Sequence, residues 1–275
     1  MQGWDTSSLP INGNTAVSLE NATVGYRDGK REIAVVTDIN AALYKGEVVA
    51  LIGANGAGKS TLLRTLSAFQ HPLSGKVVYA TGNSVEPSAQ ELARYVSIVL
   101  TENNLLSLSV AELVALGRSP YTNFLGYLTA ADKAVVAAAM ERMGVLHLAT
   151  RPVATLSDGE RQKCMIAKAI AQGTPLMLLD EPTAFLDFRS KVQLFRTLRD
   201  LAREAGKAVL VSTHDIEMAL RFAHRLWLID GTTLYDGSVA ELAGKGLLQR
   251  FIDGDGIAYD NKNGRIEITF TQDEI

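Results

Sequence analysis

The glycine-rich stretch at residues 53–61, GANGAGKST, constrains the fold of this chain more than any other part of the sequence. It has the G-x-x-x-x-G-K-[ST] pattern of a phosphate-binding P-loop. The apolar run at 48–52 predicts a buried parallel strand before it, and residues 62–66 predict a helix after it. Because the pattern falls at a strand-to-helix turn, we interpret it as a P-loop and not as a chance glycine-rich turn.

This loop has the chemistry needed to hold a nucleoside triphosphate. Its glycines allow the backbone to bend so that consecutive N–H groups point at the phosphates, and the following helix directs its positive end at the same anion. We expect Lys59 to bridge the β- and γ-phosphates and the Ser60 hydroxyl to bind Mg²⁺. The predicted phosphate-binding residues of the loop are Gly53, Asn55, Gly56, Ala57, Gly58, Lys59, Ser60 and Thr61.

The composition restricts the classes of protein to consider. The 275 residues are 47% hydrophobic and 21% charged, which is typical of a soluble globular protein. The net charge of −3 lacks the basic excess of a nucleic-acid-binding protein, so no nucleic-acid partner is predicted. No apolar run approaches the ~20 residues of a membrane span, so any membrane association would require a partner. The polar residues 1–16 predict a flexible tail and not a secretory signal.

The region after this tail is predicted to be rich in antiparallel β-structure. Residues 17–24 predict a strand, 27–30 a hairpin turn, and 33–36 the returning strand. Another short strand is predicted at 76–79. Tyr26 lies beside the turn, well upstream of the P-loop. The residue alone favours an ordinary core or surface aromatic over a functional one.

Residues 105–172 are predicted to be almost wholly helical, as an insert in an otherwise β/α chain. Three helix starts have a capping-box pattern, in which a hydroxyl and an acid three residues later each bind the other's backbone N–H. The pairs are Ser109 with Glu112, Thr129 with Asp132, and Ser157 with Glu160. The first of these helices is predicted to end at Gly117. The single cysteine, Cys164, excludes an internal disulfide and is interpreted as a packed, inert thiol.

Two adjacent acids follow the apolar strand predicted at 176–179. A carboxylate at the C-terminal end of a buried parallel strand lies at the ligand-binding edge of an α/β sheet. We therefore expect Asp180 to hold Mg²⁺, usually through water, and Glu181 to face an attacking water. The alternative, two helix-capping acids, is disfavoured by the P-loop upstream. Buried strands are also predicted at 95–100, 208–212 and 226–230.

Five sequence elements, in this order, resemble those of an ABC transporter ATP-binding subunit over about residues 17–240. Residues 53–61 resemble the Walker A loop, and residues 156–162 (LSDGERQ) resemble the LSGGQ signature. Residues 176–181 resemble Walker B with its catalytic glutamate. Residues 184–187 resemble the D-loop, and His214 resembles the switch histidine. The occurrence of all five in this order makes the resemblance specific.

The resemblance implies an α/β fold: a P-loop NTPase (RecA-like) core with an N-terminal antiparallel β subdomain and an inserted helical subdomain. The implied divisions are a flexible N-terminal tail at 1–16, an ATPase domain at 17–240 with its core at 17–104 and 173–240 and its helical subdomain at 105–172, and a C-terminal extension at 241–275. In the extension, a short helix is predicted near 247–251 and a hairpin from 257–259 with 266–268. The extension could pair with itself, pack on the core or regulate.

The resemblance also implies roles for individual residues. Tyr26 matches the aromatic that stacks on adenine, which reverses the interpretation from the residue alone. Lys59, Glu181 and His214 are the implied catalytic residues. Further implied ATP contacts, from the signature and the D-loop, are Ser157, Gly159 and Asp187.

Two departures from the family pattern affect the site. Thr101 stands where the family usually has a metal-facing glutamine. Its side chain is shorter than that of glutamine, so its hydroxyl cannot reach as far toward Mg²⁺ or water. We hypothesise that Thr101 reaches Mg²⁺ through a bridging water; the alternative is that Glu102 takes its place. In the signature, Asp158 replaces a glycine and Glu160 replaces a glutamine, while the serine and the second glycine remain.

The family's architecture implies the cofactors ATP and Mg²⁺ and three kinds of partner. These are a second copy of the chain in an ATP-sandwich dimer, an integral membrane permease gripped by the helical insert, and, indirectly, a substrate-binding protein. The implied location is peripheral, at the cytoplasmic face of the inner membrane. Residues 117–121 and 181–187 are similar to segments of importers of iron chelates, haem and cobalamin. The alternatives are an exporter subunit, a non-transport assembly or repair ATPase, and an inactive regulatory module.

Overall fold

The computed structural model describes residues 14–29, 31–81, 87–100, 107–122, 126–254 and 256–268. Eleven strands and nine α-helices occur in these ranges. In chain order they are β1 (Thr15–Asp28), β2 (Arg31–Tyr44), β3 (Val48–Gly53), α1 (Lys59–Leu66), β4 (Ser74–Tyr79), α2 (Ala89–Tyr95), β5 (Val96–Val99), α3 (Val110–Ala115), α4 (Ala130–Arg142), α5 (Asp158–Gln172), β6 (Leu176–Asp180), α6 (Phe188–Ala205), β7 (Ala208–Ser212), α7 (Ile216–Phe222), β8 (Arg225–Asp230), β9 (Thr233–Gly237), α8 (Val239–Gly244), α9 (Leu247–Ile252), β10 (Ile257–Asp260) and β11 (Arg265–Ile268).

A six-stranded sheet of order β5-β6-β7-β3-β8-β9 forms the centre of the fold. Its strands are parallel except β9, which is antiparallel to β8. Every residue of β3, β6 and β7 is buried, which confirms the strands predicted from continuous apolar runs. Because these strands are parallel, their carboxyl ends meet at one edge of the sheet. The P-loop, the acid pair and His214 leave the sheet at that edge.

A second sheet, of order β2-β1-β4, is antiparallel and confirms the predicted N-terminal hairpin. Both hairpin strands are longer than the sequence patterns indicated, because several irregular pairings let them bend without ending. β1 begins at Thr15, and Ala16 is fully buried. Residues 15 and 16, assigned to the tail from sequence, therefore belong to the sheet.

The described elements between β5 and β6 are all helical, as predicted. Each of the three capping boxes forms with both of its hydrogen bonds. The helix predicted to end at Gly117 differs, because α3 ends at Ala115 and the chain continues as the 3-10 helix Leu116–Tyr121. A Cβ at Gly117 would lie 2.3 Å from the Lys168 carbonyl oxygen, so this close approach to α5 requires glycine. Cys164 is free and fully buried in α5, and burial raises the pKa of its thiol to about 11.

Four elements were not expected from the sequence: α2, α7, α8 and β9. The three helices have six or seven residues, which is too short for a clear helical period. A signal for α2 was nevertheless present, since Ser88 and Glu91 form a capping box. β9 follows the turn at Gly231, and the burial of its residues increases along the strand without alternating.

The C-terminal residues pack on the central sheet. α8 begins at Val239, so the boundary predicted at 240 falls inside a helix. Leu242, Leu248 and Tyr259 are buried in one apolar cluster with Ile52 of β3. β10 and β11 form the predicted hairpin, and α9 is the predicted short helix. Among the described helices, none has the length and apolar character required to cross a bilayer.

Candidate nucleotide-binding and hydrolysis site

The P-loop joins β3 to α1 through a backbone that only glycine adopts easily. Gly56 and Gly58 have φ values of 77° and 97°. Gly58 is the N-cap of α1, and a Cβ there would lie 2.4 Å from Cγ1 of Val35. A side chain at this position would therefore be strained and would also clash. The loop geometry predicted from the sequence is present, with α1 beginning at Lys59.

Lys59 is folded back onto its own loop. Its ammonium donates hydrogen bonds to the carbonyl oxygens of Gly53 (2.9 Å) and Ala54 (3.1 Å), and the residue is 6% exposed. Burial lowers the pKa of Lys59, while the negative charges of Glu181 and Asp180 oppose this shift. The cation is thus held in the loop that would surround the phosphates, within the electrostatic influence of the acid pair.

The acid pair lies at the end of β6, as predicted. Asp180 is the last residue of the strand and is 3% exposed. Its Oδ1 accepts a hydrogen bond from the hydroxyl of Ser212, the last residue of β7 (2.6 Å). The sequence analysis did not identify Ser212. No local sequence signal identifies it, because only the pairing of β6 with β7 places this residue directly beside Asp180.

Glu181 and His214, both predicted as catalytic, contact each other. Nε2 of the histidine meets Oε1 of the glutamate. His214 follows β7, and the next residue, Asp215, caps α7 by accepting a hydrogen bond from the Met218 N–H (3.2 Å). Lys191 of α6 pairs with the same Asp215 at 2.9 Å. The histidine is therefore held between a strand end and an anchored helix start.

The signature segment begins α5. Ser157 is the N-cap, and Glu160 accepts hydrogen bonds from its N–H (2.9 Å) and its hydroxyl (2.8 Å). These bonds lower the pKa of Glu160, which keeps the carboxyl ionised. Asp158 is engaged by Arg161 one turn later. Within the described ranges, no hydrogen bond or ion pair joins Ser157 or Gly159 to the P-loop of the same chain.

The signature instead contacts the predicted D-loop. A Cβ at Gly159 would lie 3.0 Å from the Phe185 carbonyl oxygen, so these two backbones approach closely. Asp187 caps α6 by accepting a hydrogen bond from the Ser190 N–H (2.8 Å), which lowers the pKa of its carboxyl. Phe185 and Phe188 flank this aspartate and are exposed, at 50% and 69%. The signature and the D-loop thus lie together beside an exposed apolar surface.

Tyr26 lies near the end of β1 and is 52% exposed, so its ring is accessible and not part of the core. It lines a cavity of about 240 Å³ together with Gln70 and His71. An exposed ring beside such a space fits the base-stacking role that the resemblance implied. Thr101 and Glu102, the two candidates for the missing glutamine, lie outside the described residues.

A P-loop after β3, an acid pair after β6 and a histidine after β7 meet at one edge of a parallel sheet. This arrangement defines a P-loop nucleoside triphosphatase. The sequence matches the ABC transporter family over residues 36–184. The chain belongs to this family, and it is an ATP-binding, ATP-hydrolysing subunit.

Three curated relatives agree with this assignment. An uncharacterised ABC transporter ATP-binding protein of Methanocaldococcus jannaschii is 42% identical over 76% of this chain and 71% of its own length. The iron(3+)-hydroxamate import ATP-binding protein of Bacillus subtilis is 34% identical over 93% of this chain and 95% of its own. The hemin import ATP-binding protein of Streptomyces coelicolor is 41% identical over 80% of this chain and 78% of its own.

Solved structures support the same family. A metal-chelate type ABC transporter in an inward-facing conformation matches 94% of this chain and 97% of its own, with a TM-score of 0.73 and 27% identity. A dimeric ATP-binding cassette, MJ0796, in a post-hydrolysis state bound to ADP and phosphate, matches 81% of this chain and 98% of its own, with a TM-score of 0.70 and 28% identity. These matches confirm the predicted fold class.

Proposed function

We propose that this chain powers a membrane importer for an iron chelate, haem or cobalamin. The observation that carries the proposal is its 34% identity, over nearly its whole length, with an iron(3+)-hydroxamate import ATP-binding protein. The hemin import relative and the metal-chelate type transporter structure support the same substrate class. The GRSPY segment at 117–121 adds the sequence resemblance to this branch.

The side chains at the sheet edge fit Mg²⁺ as a cofactor. In the described part of the chain, no three His, Cys, Asp or Glu side chains form a metal-binding group. Mg²⁺ in phosphoryl-transfer sites needs only one or two protein ligands, because water and phosphate oxygens complete its coordination. The Ser60 hydroxyl and the Asp180 carboxylate would be these ligands, and Thr101 would act through water. The bound ion would neutralise charge on the phosphates.

The remaining residues of the site would act on ATP and on the attacking water. Lys59 would hold the β- and γ-phosphates, and Tyr26 would stack on the base. Glu181 would accept a proton from water while His214 contacts the γ-phosphate. The contact between Glu181 and His214 supports this division, because it places the proposed base beside the proposed phosphate ligand.

A second copy of the chain would complete the site. In the part of the chain that the structure describes, Ser157 and Gly159 make no hydrogen bond or ion pair to the P-loop, and a dimeric cassette is among the similar structures. We therefore propose that they bind the γ-phosphate held by the partner copy, with Asp187 coupling the two sites. The exposed Phe185 and Phe188 would then be covered. The helical region would bind a permease at the cytoplasmic face of the membrane. A substrate-binding protein would deliver the substrate to that permease.

Reconstitution with its permease tests this function. The chain is co-purified with its permease and placed in liposomes containing ATP and Mg²⁺, and a substrate-binding protein is added outside. We expect ATP-dependent uptake of ferric hydroxamate, haem or cobalamin, and no uptake with Glu181→Gln. ATP hydrolysis without uptake of any of the three would overturn the substrate proposal. Outward movement of substrate would favour an exporter.

A further inference from the structure

The hydroxyl of Ser212 contacts both members of the acid pair. It donates a hydrogen bond to Asp180 Oδ1 at 2.6 Å and accepts one from the Glu181 backbone N–H at 2.9 Å. The same N–H also lies 3.2 Å from the Ser212 carbonyl oxygen. Ser212 is fully buried, so solvent does not compete for these bonds. One hydroxyl therefore joins a metal-facing carboxylate to the backbone of the proposed base.

The backbone of Glu181 needs such support. Its φ is 49°, in the left-handed region that a residue with a Cβ rarely adopts. This conformation is unfavourable for such a residue, and it persists where surrounding contacts fix it. Two of those contacts come from Ser212. The direction in which Glu181 leaves the sheet, toward His214, thus depends on this serine.

The bond to Asp180 fixes a different property, the rotation of its carboxylate. Because Oδ1 accepts a short hydrogen bond, Oδ2 is the oxygen left to face a metal ion. Within the described residues, no other side chain donates to Asp180. A hydrogen bond to an ionised group is stronger than one between neutral groups. Ser212 is thus the main restraint on this carboxylate.

We propose that Ser212 is a positioning residue for the magnesium-dependent step. It sets the metal-facing oxygen of Asp180 and the backbone direction of Glu181 through the same hydroxyl. This inference rests on the proposed use of Mg²⁺ at this site and adds a residue outside the P-loop, signature and acid pair. A side chain without a hydroxyl at 212 would leave the Asp180 carboxylate free to rotate.

The test compares Ser212→Thr with Ser212→Val, because these variants have similar volume and differ by the hydroxyl. Binding of the non-hydrolysable analogue AMP-PNP is measured by calorimetry with Mg²⁺ and with EDTA. The ratio of the two affinities reports the metal contribution alone. We expect Ser212→Val and Ser212→Ala to lower this ratio about tenfold and to lower the ATPase kcat. Ser212→Thr should keep the ratio and the kcat within about twofold of the wild-type values.

Ser97→Ala is the matched control. Ser97 is also buried in the central sheet, and its hydroxyl accepts a hydrogen bond from Thr174 (2.8 Å), away from the acid pair. The ratio of AMP-PNP affinities with Mg²⁺ and with EDTA should be the same in Ser97→Ala as in the wild type. An unchanged ratio in Ser212→Val, or an equal loss in Ser97→Ala, overturns the inference. A wild-type chain that gains no affinity from Mg²⁺ overturns the proposed chemistry instead.

Discussion

Glu181 and His214 show how strand ends bring together the residues that we propose to be catalytic. Each follows the last residue of a buried parallel strand or lies within two residues of it. Because β6 and β7 are neighbours in register, the two side chains meet although 33 positions separate them in sequence. Their contact places an acid and an imidazole side by side at the edge of the sheet from which the P-loop also leaves.

Replacing Glu181 with glutamine should separate ATP binding from hydrolysis. The amide has nearly the same size, but it cannot accept a proton from water, so we expect phosphate release to fall at least ~100-fold. ATP should still bind, and the ATP-bound dimer should accumulate. Phosphate release and light scattering with ATP and Mg²⁺ measure both effects.

Glu217→Gln provides the control for this variant. Glu217 is an acid of α7 that pairs with Arg221 at 2.9 Å on the exposed surface. Its loss should leave hydrolysis unchanged. A Glu181→Gln chain that hydrolyses ATP at the normal rate would mean that Glu181 is not the base.

At the scale of elements, α5 connects the signature to the rest of the fold. Its start carries Ser157, and its later turns pack against the 3-10 helix that follows α3. Gly117 makes this packing close enough that the backbone of one helix meets the other. Arg118 reinforces it by donating hydrogen bonds to Asp132 of α4 (2.9 Å) and to the Ala171 carbonyl (3.0 Å).

Gly117→Ala should weaken the helical region. The added Cβ would lie 2.3 Å from the Lys168 carbonyl oxygen, so the helices must separate. We expect the free energy of unfolding to fall by about 1–3 kcal/mol, as for other overpacked sites. Urea denaturation measures the change. Gly244→Ala, where nothing lies within 4 Å of the new Cβ, should show no such loss, and equal stability of the two variants would contradict the packing argument.

Elements encoded by adjacent residues were predictable from the sequence, and contacts between distant residues were not. The capping boxes at Ser109, Thr129 and Ser157 form because both partners lie within one turn. The P-loop and the acid pair follow from strand-to-turn patterns. The link from Ser212 to Asp180 depends on strand order, which no local pattern encodes. The seven-residue α7 was missed because its period is too short to detect.

At the scale of the whole molecule, the C-terminal residues complete the core behind the P-loop strand. Leu248 of α9 and Tyr259 of β10 lie in one cluster with Ile52 and Leu228 of the central sheet. The described residues beyond 240 are therefore part of the folded body. Two of the three alternatives considered for this segment are present in the structure. β10 pairs with β11, and the segment packs on the core.

Leu248→Ala should destabilise the entire chain. The side chain is fully buried, and removing it leaves a cavity, so we expect a loss of about 2–5 kcal/mol in the free energy of unfolding. Thermal or urea unfolding measures this loss. Ile268→Ala is the control, because that residue of β11 is 67% exposed. Equal effects of the two substitutions would show that the C-terminal segment does not stabilise the core.

The position of Tyr259 also affects how the protein is made. A ribosome releases the chain from its N-terminus onward, and β3 emerges some 200 residues before this tyrosine. Until Tyr259 has emerged, the apolar side of β3 and β8 lacks its final cover. Nascent chains that have not reached this residue should therefore depend on chaperones, since exposed apolar surface promotes aggregation.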